Sequence, residues 1–174
     1  MIKLPRFEPS DASLFEDAYV LKGEAGLNIA PSVASLYLAD TASWPQWYPR
    51  MKSARWISAE PHGLNSEREV TVMRQKMVQR VVEVDAPWRI TFTALTGASF
   101  GVKSIVEQFE IVPMSEHACT LRWRMGLKYR FLHGFFSGIG SFVMRVHPMA
   151  GAVQRQVPKA FARFVWASAV PPAG

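Results

Sequence analysis

The chain has 174 residues, 49% hydrophobic and 20% charged, which fits one globular domain and excludes disorder. Its single cysteine, Cys119, excludes an internal disulfide framework and a four-thiolate zinc site, and no apolar run reaches the ~18 residues of a membrane span. The net charge of +6 is lopsided: eight of the 20 basic residues and none of the 14 acidic ones follow Glu116, so the last third offers a weak contact for an anionic membrane.

The opening, Met1-Ile2-Lys3-Leu4-Pro5-Arg6, lacks the apolar stretch of a secretory signal, so a reduced, cytoplasmic protein is expected. Residues 1–15 read as a polar arm broken by Pro5 and Pro9, and residues 16–170 as a single domain. Residues 16–29 carry Tyr19, Val20, Leu21, Leu27 and Ile29 and predict a first strand. Pro31 suits a first helical turn, and Val33, Leu36 and Tyr37 recur at helical spacing, so 32–39 should be a short helix. Ser43-Trp44-Pro45-Gln46-Trp47-Tyr48-Pro49, with two prolines and three aromatics, predicts a packed turn or second short helix.

The apolar period then changes to two. Strands are expected at 53–59, 67–74, 77–84, 89–95, 102–112 and 118–127, separated by short turns such as Pro61-His62-Gly63-Leu64-Asn65. Short turns mean hairpins, hence an antiparallel sheet. From Phe142 to Val165 apolar residues fall at steps of three or four, predicting a long helix that starts near Pro148 or kinks there or at Pro158. Between lies the glycine-rich stretch 131–140, read as a lid or loose helical lead-in. A sheet with one apolar face and one amphipathic helix is satisfied when the sheet curls around the helix, an α+β arrangement.

Several segments carry a resemblance. Asn28-Ile29-Ala30-Pro31, the helix after it, Asp40, and Trp44-Pro45-Gln46-Trp47-Tyr48-Pro49 resemble the opening of the START-like (SRPBCC) superfamily. Met51 to Trp56, Ser66-Glu67-Arg68-Glu69-Val70-Thr71, Val106 to Glu110 before Pro113, and Thr120-Leu121-Arg122-Trp123 look like its polyketide cyclase/dehydrase branch. Where that branch usually has glycine before "serine, x, arginine", this chain has Asn65. The resemblance implies a helix-grip fold: a seven-stranded antiparallel sheet curved around a long C-terminal helix, two short helices after strand 1, and a cavity for a small hydrophobic molecule such as a lipid, polyketide or quinone. It leaves open whether any reaction is catalysed.

Strand parity proposes what lines that cavity. If Ile105, Phe109 and Ile111 face inward, Glu107 shares their side; Val70 and Val72 bring Arg68 and Arg74; Leu121, Trp123 and Met125 face inward, leaving Arg122 and Arg124 outside. Glu107 and Arg68 are therefore the expected polar end of a greasy pocket, orienting a ligand carbonyl or acting as an acid–base pair. Trp44, Trp47, Tyr48, Trp56, Phe92 and Trp123 form the expected aromatic wall, and Phe131, Leu132, Phe135 and Phe136 beside Gly134 and Gly138 a gate.

Other chemistries lack their signatures. Gly97-Ala98-Ser99-Phe100-Gly101 has the form of a hydrolase elbow, but a strand rather than a helix is predicted after it. His62, His117, His133 and His147 share no metal spacing, and His62 and His117 fall in predicted turns, where solvation is expected. No phosphate loop or dinucleotide fingerprint implies a cofactor, and no recognition motif accompanies the bases to imply nucleic acid. The leading reading is a binding module; a cyclase or dehydratase using Glu107 and Arg68, and a membrane-surface carrier opening near Phe135, are the alternatives.

Overall fold

The computed structural model describes residues 6–85, 88–97, 102–129 and 148–169. After a short helix α1 (Leu14–Asp17), strand β1 (Tyr19–Leu27) leads into α2 (Pro31–Ala39), a 3-10 turn (Thr41–Ser43) and α3 (Trp44–Trp47). Six strands follow: β2 (Met51–Trp56), β3 (Glu67–Val72), β4 (Gln75–Asp85), β5 (Arg89–Thr96), β6 (Val102–Ser115) and β7 (Ala118–Tyr129). Helix α4 (Pro148–Ala169) completes the order. The strands form one antiparallel sheet, β1-β7-β6-β5-β4-β3-β2, so the expected α+β helix-grip architecture is the observed one.

Local chemistry explains most element ends. Pro31 occupies the first turn of α2, where its missing N–H costs nothing. Asp40 caps the next turn by accepting from the Ala42 N–H at 3.1 Å. Asn65 adopts a φ of 68°, the left-handed conformation that asparagine tolerates almost as glycine does, and its N–H reaches the Val81 carbonyl at 2.9 Å. The turn before Ser66-Glu67-Arg68 thus forms without the glycine. α4 runs on through Pro158, which removes one intrahelical hydrogen bond without ending the helix.

Three sequence expectations shift. β1 is shorter than 16–29, because residues 14–17 turn into α1 and bury Leu14. β2 begins two residues before 53 and ends at Trp56. Arg74 does not share the inward side of Arg68: β3 stops at Val72, and Met73-Arg74 form the exposed turn to Gln75.

The core lies on the concave face. Leu21, Trp44, Phe92, Phe109, Leu121 and Trp123 pack with Val157, Phe161 and Val165 of α4. Burial at about 25 cal/mol per Å² of apolar surface makes this cluster the main source of stability. On the convex face, Gln108 donates to Glu83 at 2.9 Å and to Thr91 at 2.8 Å, and accepts from Arg124 at 2.7 Å, so its buried amide is satisfied.

The arm closes a slit in the sheet. β5 and β6 pair from Arg89↔Glu110 to Thr93↔Val106, then part. Into the gap the Phe7 N–H donates to the Leu95 carbonyl at 3.0 Å and the Glu8 N–H to that of Lys103 at 2.9 Å. Phe7 is buried with Ala94 and Val102. Gly97 makes room: a Cβ there would lie 2.7 Å from Met77 Cγ and 2.9 Å from Phe7 Cε2. The element after Gly97 is strand β6, so the helix that a nucleophile elbow requires is absent there; Ser99 itself lies outside the described residues.

Candidate functional site

Alternation along β3 puts Arg68 on the concave face beside Val70, where it is 0% exposed. Its guanidinium is stacked between two rings, with its carbon 3.5 Å from the Phe92 centroid and 3.9 Å from that of Trp44. Nε donates to Gln79 Oε1 at 2.9 Å. Nη1 and Nη2 are buried and have no hydrogen-bond partner. A charged donor left unpaired inside a protein is costly, and the two ring faces and the charge of Glu107 offset part of that cost.

Glu107, mid-strand on β6 and 3% exposed, lies in the same packed core. One carboxylate oxygen, Oε1, accepts from the Tyr48 hydroxyl and from Trp123 Nε1, both at 2.7 Å. Tyr48 comes from the end of α3 and Trp123 from β7, so Glu107 ties the short-helix segment to the sheet. Arg68 and Glu107 share this core without bonding directly. Arg68 still acts on the carboxylate through its charge.

Burial dominates the ionisation of both. Desolvation raises the Glu107 carboxyl above its usual value of 4.5, against the pull of Trp123, Tyr48, Arg68 and Gln79. It lowers Arg68 to about 9, against Glu107 and Tyr48. The Tyr48 hydroxyl is pushed well up, by burial first and by Glu107 second. A raised acid favours the fold when protonated: its contribution is complete below the unfolded value near 4.5 and is lost as pH rises through the folded value. Wild type should therefore lose stability relative to Glu107→Gln as pH rises from about 4.5 through the raised folded value. Urea denaturation of both proteins across that range checks this, and a pH-independent difference would contradict it.

The structure brings much of the proposed lining into one cluster. Trp44 stacks on Tyr48 at 5.9 Å and meets Phe109 edge-on at 4.9 Å and Phe92 at 5.8 Å. Trp47 meets Phe161 of α4 at 4.9 Å, and its indole N–H is buried without a partner. Val70 is buried in the same core, with Val72 and Met125 partly buried against it. Ile105 instead joins the Phe7 cluster. Trp56 packs against this core partly buried, and stacks on His62 with centroids 4.5 Å apart. That contact also overturns the expected solvation of His62, which is only half-exposed. Phe131, Leu132, Phe135 and Phe136 lie outside the described residues.

Sequence reading missed Gln79, whose oxygen orients Arg68; the available signal was its shared parity with Val81 and Met77 on β4. Among the basic residues of the last third, Arg122, Lys159 and Arg163 are exposed, whereas Arg124 lies over the Phe15 ring at 4.1 Å. Among the described residues, no three potential metal ligands converge and no helix is long and apolar enough to cross a membrane.

Solved structures share this architecture at low identity. A START superfamily protein from Mycobacterium smegmatis superposes with a TM-score of 0.62 at 14% identity, covering 86% of this chain and 98% of that one. The Zhui aromatase/cyclase from a Streptomyces species gives 0.66 at 10% identity, over 89% and 98%. Norcoclaurine synthase from Thalictrum flavum gives 0.59 at 12%, over 87% and 88%. No curated protein matches the sequence. At these identities the superpositions establish the fold, while the sequence itself decides membership: residues 22–169, from β1 to the end of α4, match the model of the polyketide cyclase/dehydrase and lipid-transport family, and the chain belongs to that family.

Proposed function

We propose that the protein binds a small, hydrophobic, ring-bearing molecule on the concave face of the sheet, with an oxygen of the ligand accepting from the terminal amino groups of Arg68. The observation that carries this reading is the unpartnered Nη1 and Nη2 of a fully buried guanidinium. The aromatic surroundings suit a flat apolar body, and the fork suits a carbonyl, enol or phenol oxygen. In this structure the fork is closed to water, so the ligand reaches it only when neighbouring side chains move aside. The norcoclaurine synthase structure holds dopamine and hydroxybenzaldehyde, both ring-bearing and oxygenated. Polyketide and quinone-like molecules meet the same description, as do ring-bearing lipids such as sterols.

A second reading makes the site catalytic. Glu107, a carboxyl whose pKa is raised by burial beside a fixed cation, has the features of a group that moves a proton while Arg68 stabilises an enolate-like oxygen. Turnover of a cyclisable or dehydratable substrate, lost in Glu107→Gln, separates an enzyme from a binder.

The binding test uses α-tetralone, an aromatic ketone, and tetralin, which lacks the oxygen. A hydrogen bond from a charged donor contributes about 1.5–3 kcal/mol, so wild type should prefer the ketone by about 10- to 100-fold. Arg68→Met should bind the two equally. An unchanged preference in that variant would contradict the reading.

A further inference from the structure

A second concavity lies away from Arg68 and Glu107. It is a cleft of about 640 Å³ between α2 and the β4–β5 end of the sheet, within the size range of small-molecule sites. Leu36 and Ser35 of α2 form one side, Val81 and Ile90 the floor, and Trp88 and the Trp56–His62 stack two further walls. The lining is mostly apolar. Its one cation, Arg89, has its charge balanced by Glu83 at 3.2 Å, Asp85 at 3.4 Å and Glu110 at 3.5 Å, although its buried Nε has no hydrogen-bond partner. Leu36 at the rim is 70% exposed and Val84 41%, an apolar margin that water covers poorly.

One lining side chain, His62, has an unmet polar demand on its buried side. Nδ1 of His62 is buried without a partner, and Nε2 lies 3.9 Å from Glu60, too far for a hydrogen bond. The imidazole is nearly parallel to Trp56, at 20°. A half-turn about Cβ–Cγ keeps it in that plane and turns Nδ1 to the opposite side. A hydroxyl satisfies the nitrogen in either tautomer, because it can donate or accept.

From this geometry we infer a second binding site, for an uncharged, planar aromatic molecule bearing one hydroxyl, in the cleft between α2 and the β4–β5 hairpin. The flat Trp56–His62 wall and Trp88 take the ring, and His62 takes the hydroxyl. The site does not include Arg68, Trp44 or Phe92, though it borders them: Val81 pairs with Phe92, and the Leu38 carbonyl accepts from Trp44 Nε1 at 3.0 Å.

The test titrates 2-naphthol and 2-methylnaphthalene into the full chain and follows the assigned tryptophan indole N–H signals by NMR. Both probes should shift Trp56 and Trp88 and leave Trp44 and Trp123 in place. His62→Phe keeps the stack and removes the nitrogen; it should lower 2-naphthol affinity about 3- to 10-fold and leave 2-methylnaphthalene affinity unchanged. Ala39→Trp, at the exposed end of α2, should fill the cleft and weaken both probes at least about 5-fold, corresponding to about 1 kcal/mol or more. Shifts confined to Trp44 and Trp123, no shift at Trp56 and Trp88, or affinities unchanged in both variants would overturn the second site without touching the Arg68 reading, which the tetralone pair tests separately.

Discussion

Replacing Glu107 with leucine should cost about 3 kcal/mol of folding stability, whereas Glu107→Gln should cost about 1 kcal/mol. The leucine strands two buried donors, the Tyr48 hydroxyl and the Trp123 indole N–H, each of which now reaches Oε1 at 2.7 Å. An orphaned buried donor costs about 1–3 kcal/mol, and relief of the carboxylate's own desolvation returns part of that sum. Glutamine retains an acceptor oxygen at the same reach, so both donors stay paired, in bonds weaker than those a carboxylate accepts. Chemical denaturation of the two variants compares them directly. Equal stabilities would mean that Tyr48 and Trp123 do not depend on Glu107, and the carboxylate would no longer explain how α3 is fixed to the sheet.

Arg68→Ala should lose about 3–4 kcal/mol, while Arg68→Met stays within about 1 kcal/mol of wild type. Alanine empties the slot between Trp44 and Phe92, whose ring centroids now lie 3.9 and 3.5 Å from the guanidinium carbon. Methionine fills most of that slot. It forfeits the cation–π attraction and the bond to Gln79, about 1–2 kcal/mol for the stacking when desolvated, but also removes an unpaired buried charge. The two sets of terms nearly cancel. If methionine proved as damaging as alanine, the charge itself would be holding the fold together and would not be reserved for a ligand. Denaturation midpoints of the two variants decide between these roles.

The parts of this molecule that could be read from sequence are those governed by a repeating pattern. Period two along β6 placed Glu107 on the side of Phe109 and Ile111, and the same rule placed Arg68 beside Val70. It failed at Arg74, because parity holds only while the strand continues and β3 ends at Val72. Period 3.6 anticipated Val157, Phe161 and Val165 as the buried stripe of α4. Contacts between distant segments carry no such signal. That Phe7 would enter the slit between Leu95 and Lys103 depends on where β5 and β6 part company. That Trp56 would stack on His62 depends on the path of residues 57–66. Gln79 was similarly hidden, since its role is defined by the guanidinium it meets across the β3–β4 pair.

The site chemistry follows from a conflict in the burial pattern. An apolar core that encloses one arginine and one glutamate without joining them spends stability, about 1–4 kcal/mol relative to an apolar filling in comparable cases. Glu107 recovers much of this through two donors; Arg68 recovers less, since two of its three nitrogens have nothing to bind. A polar ligand atom closes that deficit.

A crystal structure of the protein with α-tetralone bound tests this most directly. The account predicts the ketone oxygen at about 2.7–3.2 Å from Nη1 or Nη2 of Arg68, with its ring against the Trp44–Phe92 cluster. A ketone seated elsewhere, with the Arg68 fork still unpaired, would contradict it.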